Sequence, residues 1–225
     1  MAYVPIQRRM EPKAMKVAHV VVSGEVAGGQ IICERLLEAL KKRGGQGIVI
    51  SPTWGSFTER LREKGIPVYL IPFRKTYHFQ NAVRFAHLLK REKVDLVHTH
   101  AMVQVNVQAR LGARLAAVPL ISHMHLPNHF RNHWLIRTYQ VLLDHWTAQL
   151  CDELITVSES TREALAAQSS AYRRAKVIYN GIDVNQGNYV KSRDDILKEF
   201  GLNPVHRIVG MVGRLCPVKG QEELI

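Results

Sequence analysis

The sequence predicts an α/β fold: a mostly parallel β-sheet with helices on both faces. Three observations carry this. Short runs rich in β-branched residues alternate with stretches of helical periodicity along most of the chain. The strand candidates are almost continuously apolar, as expected of strands covered on both faces. Each is followed by a helix candidate, which implies right-handed βαβ crossovers.

The elements follow in order. VAHVVVS (17–23) is a buried strand, and a turn with Gly24, Gly28 and Gly29 comes after it. From Gln30 to Arg43, Ile31, Leu36, Leu37 and Leu40 recur at helical spacing until Gly44-Gly45 stop the helix. GIVIS (47–51) is the second strand, FTERLREKG a short helix, and PVYLIP (67–72) the third strand. NAVRFAHLLKREK (81–93) is amphipathic, DLVHTH (95–100) is strand four, and residues 103–117 form a helix despite their valines. VPLISHMH (118–125) is strand five. The stretch 128–146 mixes Arg, His and Trp with Leu and Ile, and a helix over 133–150 is expected to face the core with a wet side. ELITVS (153–158), a helix at 159–168 and AKVIYN (175–180) complete the series. In open sheets of this kind ligands sit outside the carboxyl ends of the strands, which directs attention to the loops there.

Organisation follows from composition along the chain. Residues 1–15 are expected to be a disordered extension, since MAYVPIQRRMEPKAMK has no apolar run of the kind a secretory leader carries. Residues 16–180 form the first domain. Residues 181–192, rich in Asn and Gly, read as a linker, and 193–225 as the start of a second, incomplete domain. In that last part RDDILKEFG is a capped helix and HRIVGMVGR a new strand.

Composition narrows the classes. No run approaches the roughly 18–20 apolar residues that span a bilayer. Cys33, Cys151 and Cys216 are an odd number without CxxC spacing, which fits a reduced cytoplasmic interior better than a disulfide framework. The formal net charge of +12 favours anionic partners. Nucleic acid is not expected among them, because no recognition helix, zinc finger or RNP-like strand is present.

Three constellations carry chemistry. The loop SGEVAGGQ lets backbone amides approach a ligand and opens a helix whose N-terminus favours anions. Gly24, Gly28 and Gly29 lack the dinucleotide spacing GxGxxG, and a simple tight turn explains them equally well. Next come His98, His100, His123 and His125 at the ends of strands four and five. HxH on a strand puts both rings on one face, but no Asp or Cys nearby in sequence completes a ligand set, so no metal is expected. For His125 a neutral hydrogen-bonding role is preferred. Last, Arg214 and Lys219 in GRLCPVKG offer a forked donor and a point charge, suited to a diphosphate.

These residues make the chain resemble glycosyltransferase family 4, the retaining group with the GT-B fold. The matching segments are AGGQ, DLVHTH, VPLISHMH, ELITVSES, VIYNGID and VGRLCPVKGQEELI, in that order over residues 16–225. The resemblance implies facing Rossmann-like domains, the N-terminal one receiving an acceptor and the C-terminal one holding a nucleotide-sugar donor. It implies no cofactor and no metal. The donor is UDP- or GDP-linked, and the acceptor a lipid, a glycan or a small polyol. Carried over, Arg214 and Lys219 bind the donor diphosphate, and His125 lies near the transferred sugar. Gly28 and Gly29 belong to the loop beside the diphosphate. Ser158, Asn180, Gly181 and Asp183 fit donor-side segments, with a capped helix and a domain crossover as equally good structural readings.

The family's acidic pair, two glutamates eight positions apart, is expected further into the second domain, and Glu222 and Glu223 are not that pair. The chain is therefore expected to be a fragment, inactive alone. The competing reading is a non-catalytic acceptor- or membrane-binding module, with 128–146 lying against anionic lipid at the inner membrane face. A nucleotide-sugar epimerase shares the architecture, but the VSES, NGID and GRLxxxKG series fits a transferase better.

Overall fold

The computed structural model describes residues 14–73, 79–128, 130, 133–182, 191–203, 205, 207–213, 215 and 220–224. It divides into two compact units, one up to Asn180 and one from Gly181 onward.

The first unit is a doubly wound α/β domain. Its strands are β1 (Lys16–Val21), β2 (Gln46–Ser51), β3 (Val68–Leu70), β4 (Leu96–His100), β5 (Leu120–Met124), β6 (Glu153–Thr156) and β7 (Lys176–Val177). The helices between them are α1 (Gly28–Lys42), α2 (Ser56–Glu63), α3 (Phe79–Arg91), α4 (Val103–Ala116), α5 (Trp134–Ala148) and α6 (Glu159–Gln168), with a 3-10 turn at Ser170–Arg174. All strands are parallel, in the order β3-β2-β1-β4-β5-β6-β7. The order reverses at β1/β4, the switch point beside which such sheets bind ligands.

Alternation along the strands sorts the core into two layers. Ala18, Val20, Ile48, Ile50, Val97, Leu120 and Met124 point to a layer with Phe85 and Leu89 of α3 and Val105, Ala109 and Ala113 of α4. Val21 and Val49 point the other way, onto Cys33 and Leu37 of α1 and Phe57 and Leu61 of α2. His19 shares the parity of Val21, and its register partner is His98, so the histidines of β1 and β4 lie on the α1 side.

α5 departs from expectation. Its inward stripe is polar, with Gln140, Asp144, Thr147 and Ala148 buried. Its outward stripe is apolar, with Leu135 54%, Leu142 52% and Trp146 64% exposed. The cause lies on α4: the fully buried Arg110 extends toward α5 and donates to Asp144 Oδ1 at 2.8 Å. A buried guanidinium demands acceptors, so the inner face of α5 supplies them and its apolar residues turn outward.

In the second unit, α7 (Arg193–Glu199) opens on a capping box. Ser192 Oγ accepts from the Asp195 amide, and Asp195 accepts from the Ser192 amide. The strand expected in HRIVGMVGR does not form among the described residues 207–213, where Val209 is 74% exposed and Val212 fully so. An apolar β-branched run becomes a strand only against a partner, and the described residues of this unit supply none.

Candidate functional site

The carboxyl edge of the sheet gathers the sequence-derived site. β1 ends in a loop that returns as α1, whose first two residues are Gly28 and Gly29. Gln30 fastens this turn by donating from Nε2 to the carbonyl and hydroxyl of Ser23, both at 3.3 Å. Gly24 plays a different part from the other two. Its carbonyl accepts from the amides of Phe57 and Thr58, and a Cβ there would overlap the backbone of Thr53, Trp54 and Gly55. It is a packing glycine that locks the β1 and β2 loops together.

Gly29 meets His125, which follows β5. A Cβ at position 29 would lie 3.4 Å from the His125 Cδ2, already in contact with the ring, whereas Gly28 faces open space. The α1 N-terminus and the imidazole therefore share one surface, with room for no more than a methyl group between them. A cleft of about 330 Å³ opens on the same edge, lined by Val22, Pro52, Thr53, Phe73, Met102 and Gln104 among others.

His125 belongs to a chain of rings. His19 Nδ1 lies 3.1 Å from His100 Nε2, and His100 Nδ1 lies 3.2 Å from His125 Nε2. Each contact needs one proton between two nitrogens, so the tautomers are coupled along the chain. Donation toward His125 leaves its Nδ1 a donor; donation away leaves it an acceptor. Burial pushes His125 and His19 down to about 4, and holds His100 well below the usual imidazole range. At neutral pH His125 is an uncharged hydrogen-bonding group.

Sequence reasoning found the HxH pairs but not their convergence. Parallel pairing of β1, β4 and β5 places His19, His98, His100, His123 and His125 side by side, with His98 and His100 centroids 4.2 Å apart and His123 and His125 4.4 Å apart. Cys33, far away in sequence, comes within 4.8 Å of ligand atoms on His19 and His100. Cys33 and Cys151 are buried free thiols.

The remaining residues separate. Ser158 is the N-cap of α6: its Oγ accepts from the Thr161 amide at 3.1 Å. Asn180 and Gly181 are exposed beyond β7. Asp183, Arg214, Lys219 and Cys216 lie outside the described residues. No local pattern points to the buried polar set that supports the loop after β5, in which Asn128 Nδ2 donates to Asp144 Oδ2 at 2.8 Å.

Comparison with known proteins agrees with this architecture. A UDP-Gal:alpha-D-GlcNAc-diphosphoundecaprenol alpha-1,3-galactosyltransferase of Escherichia coli is 24% identical over 214 residues, which are 91% of this chain and 55% of that protein. The crystal structure of Anabaena Alr3699/HepE in complex with UDP superposes with a TM-score of 0.73 at 22% identity, over 92% of this chain and 56% of the other. A glycosyltransferase of Rickettsia africae gives a TM-score of 0.65 at 17% identity, over 86% and 51% of the two chains. The chain thus spans about half the length of these relatives. The sequence model of Glycosyltransferase Family 4 matches residues 26–186, from the loop before Gly28 to the end of the α/β domain and beyond, and the chain belongs to that family.

Proposed function

We propose that this chain is the acceptor-side part of a retaining glycosyltransferase that moves a sugar from a UDP- or GDP-linked donor to a lipid, glycan or small polyol. The observation that carries the reading is the placement of His125 beside Gly29 at the sheet's carboxyl edge, inside the family-matched segment. The α1 N-terminus offers amides and a positive dipole end toward the donor diphosphate. His125, neutral, hydrogen-bonds a hydroxyl of the transferred sugar. Arg214 and Lys219 balance charge on the departing nucleotide, and Ser158, Asn180, Gly181 and Asp183 complete the donor side. The transfer uses fixed cations and needs no metal, since electrostatic preorganisation suffices for such a step. Support comes from a structural neighbour determined with UDP-glucose and from the galactosyltransferase relative.

The test is calorimetric titration of UDP- and GDP-sugars into this chain and into a longer protein extended to the length of its relatives. Only the longer protein should bind and turn over donor, and His125→Ala there should lower kcat about 10²–10³-fold. Tight donor binding by the 225-residue chain alone would move the donor site into the first unit and remove the rationale for Arg214 and Lys219.

A second reading concerns the acceptor. The outward stripe Leu135, Tyr139, Leu142 and Trp146 on α5, joined by Trp134 at 70% exposure, suits an interfacial helix on a chain of net charge +12. No helix among the described residues is long and apolar enough to cross a membrane. The relative's name specifies a diphosphoundecaprenol acceptor, which fits a surface-docked enzyme. Sedimentation with phosphatidylglycerol vesicles should carry the chain down at low salt. Leu142→Ser with Trp146→Ser should abolish this, and undiminished sedimentation of that variant would assign binding elsewhere.

A further inference from the structure

We propose that His98, His100 and His123 form a binding site for a divalent transition-metal ion of the zinc class, independent of the transfer reading. His98 and His100 are two apart on β4 and so share a face, and His123 stands beside them on β5. One ring nitrogen of each lies within 4.8 Å of the others, with centroids 4.2, 5.5 and 5.6 Å apart. Tetrahedral Zn–N bonds of about 2.0–2.1 Å imply nitrogens ~3.4 Å apart, which side-chain rotation can reach.

The unpaired atoms point the same way. His123 is 6% exposed, yet neither of its ring nitrogens has a hydrogen-bond partner, and His98 Nε2 is likewise unpartnered. Buried polar atoms without partners are rare and call for an explanation. One metal ion would satisfy His98 Nε2 and one of the two His123 nitrogens together. Burial holds His98 and His123 down to about 3, so both are in the neutral form that ligates.

Access and selectivity follow from the surroundings. A groove of about 590 Å³ between α1 and the sheet, lined by His19, Leu36, Leu40, Arg43 and His98, brings solvent to the His98 side of the trio. An all-imidazole set without carboxylates suits Zn(II), Co(II), Ni(II) or Cu(II) and not Mg(II) or Ca(II). His100 already bonds His19 and His125, so metal would replace one of those bonds and leave the other ring as an outer-shell orienter. His19, Cys33 and His100 form an overlapping set, but the buried unpartnered nitrogens belong to His98 and His123 of the β4–β5 trio.

The experiment is titration of the untagged, chelator-stripped chain with Co(II) and Zn(II), by visible absorption and equilibrium dialysis. One ion per chain should bind, with a tetrahedral Co(II) spectrum that Zn(II) bleaches and Mg(II) leaves unchanged. His98→Ala or His123→Ala should each weaken binding at least about 100-fold, since losing even an outer-shell partner costs 10–100-fold. His133→Ala, on the exposed surface, should change nothing. Absence of binding at micromolar metal, or full binding by both ligand variants, would overturn the proposal. Should a ligand variant not fold, imidazole nitrogen NMR of the wild-type chain decides. Metal must shift His98, His100 and His123, and shifts confined to other histidines would equally overturn it.

Discussion

Asp144→Ala is expected to remove about 3–5 kcal/mol of folding stability. Arg110 and Asp144 are buried to 0% and 1% side-chain exposure, and their ion pair spans 2.8 Å between α4 and α5. The arginine Nη2 also donates to Ser122 Oγ and to the Tyr172 hydroxyl, each at 3.1 Å. Asp144 accepts from Arg110, from Tyr172 and from Asn128. Deleting the carboxylate leaves a guanidinium buried without its counter-charge, which is far costlier than never having had the pair. The double replacement Arg110→Met with Asp144→Leu should therefore recover most of the loss. By contrast Lys176–Glu153, with side chains 67% and 41% exposed, should cost under about 1 kcal/mol to break. Urea unfolding of Asp144→Ala, the Arg110→Met/Asp144→Leu double variant and Glu153→Ala gives the comparison. A loss for Asp144→Ala no larger than that for the surface pair would show that the network is not a stabilising unit. Because Asn128 is held by Asp144, the same variant should loosen the loop that follows His125.

That network also shows why parts of the fold were illegible in the sequence. The order of strands and helices can be read from local periodicity, because each element obeys its own period, and Gly44 and Gly65 mark the ends of α1 and α2. The orientation of α5 could not. Asp144 and Thr147 point inward to meet Arg110, which stands on another helix. Burial of Arg110 itself contradicts the usual exposure of arginine. The run HRIVGMVGR failed for the converse reason, since apolar β-branched composition marks a willing strand while pairing decides whether one forms. At the candidate site, HxH on β4 and HMH on β5 were plain, and their faces followed from period two. Their meeting with His19 depends on β4 lying between β1 and β5, a fact of topology that no local window contains. Gly29 is legible as a loop glycine, but its placement beside the His125 ring belongs to the tertiary fold.

The same cluster should make the metal-free chain unusually sensitive to mild acid. Burial lowers His19 and His125 to about 4 and His98 and His123 to about 3, with His100 also held well below its ordinary value. In the unfolded chain each titrates near 6.5. Below that pH the unfolded state binds protons that the folded state refuses, so stability falls as pH falls. The contribution is fully present above about pH 6.5 and is lost progressively toward the folded values near 3–4. Each histidine costs on the order of 1 kcal/mol between pH 7.5 and 5.5, and the set several kcal/mol, a large part of the stability of a small domain. With chelator present, the urea midpoint should therefore drop steeply between pH 7.5 and 5.5. The double variant His98→Gln with His123→Gln should flatten that dependence by about two protons' worth of slope, even if it lowers stability at neutral pH. A midpoint unchanged across this range in the wild-type chain would mean that the rings accept protons in place, with the fold opening enough to hydrate them. Rings with centroids 4–6 Å apart, within and between strands, leave little room for that. Two or more imidazolium charges at such spacing would repel strongly in a low-dielectric layer, so the domain should unfold before it protonates.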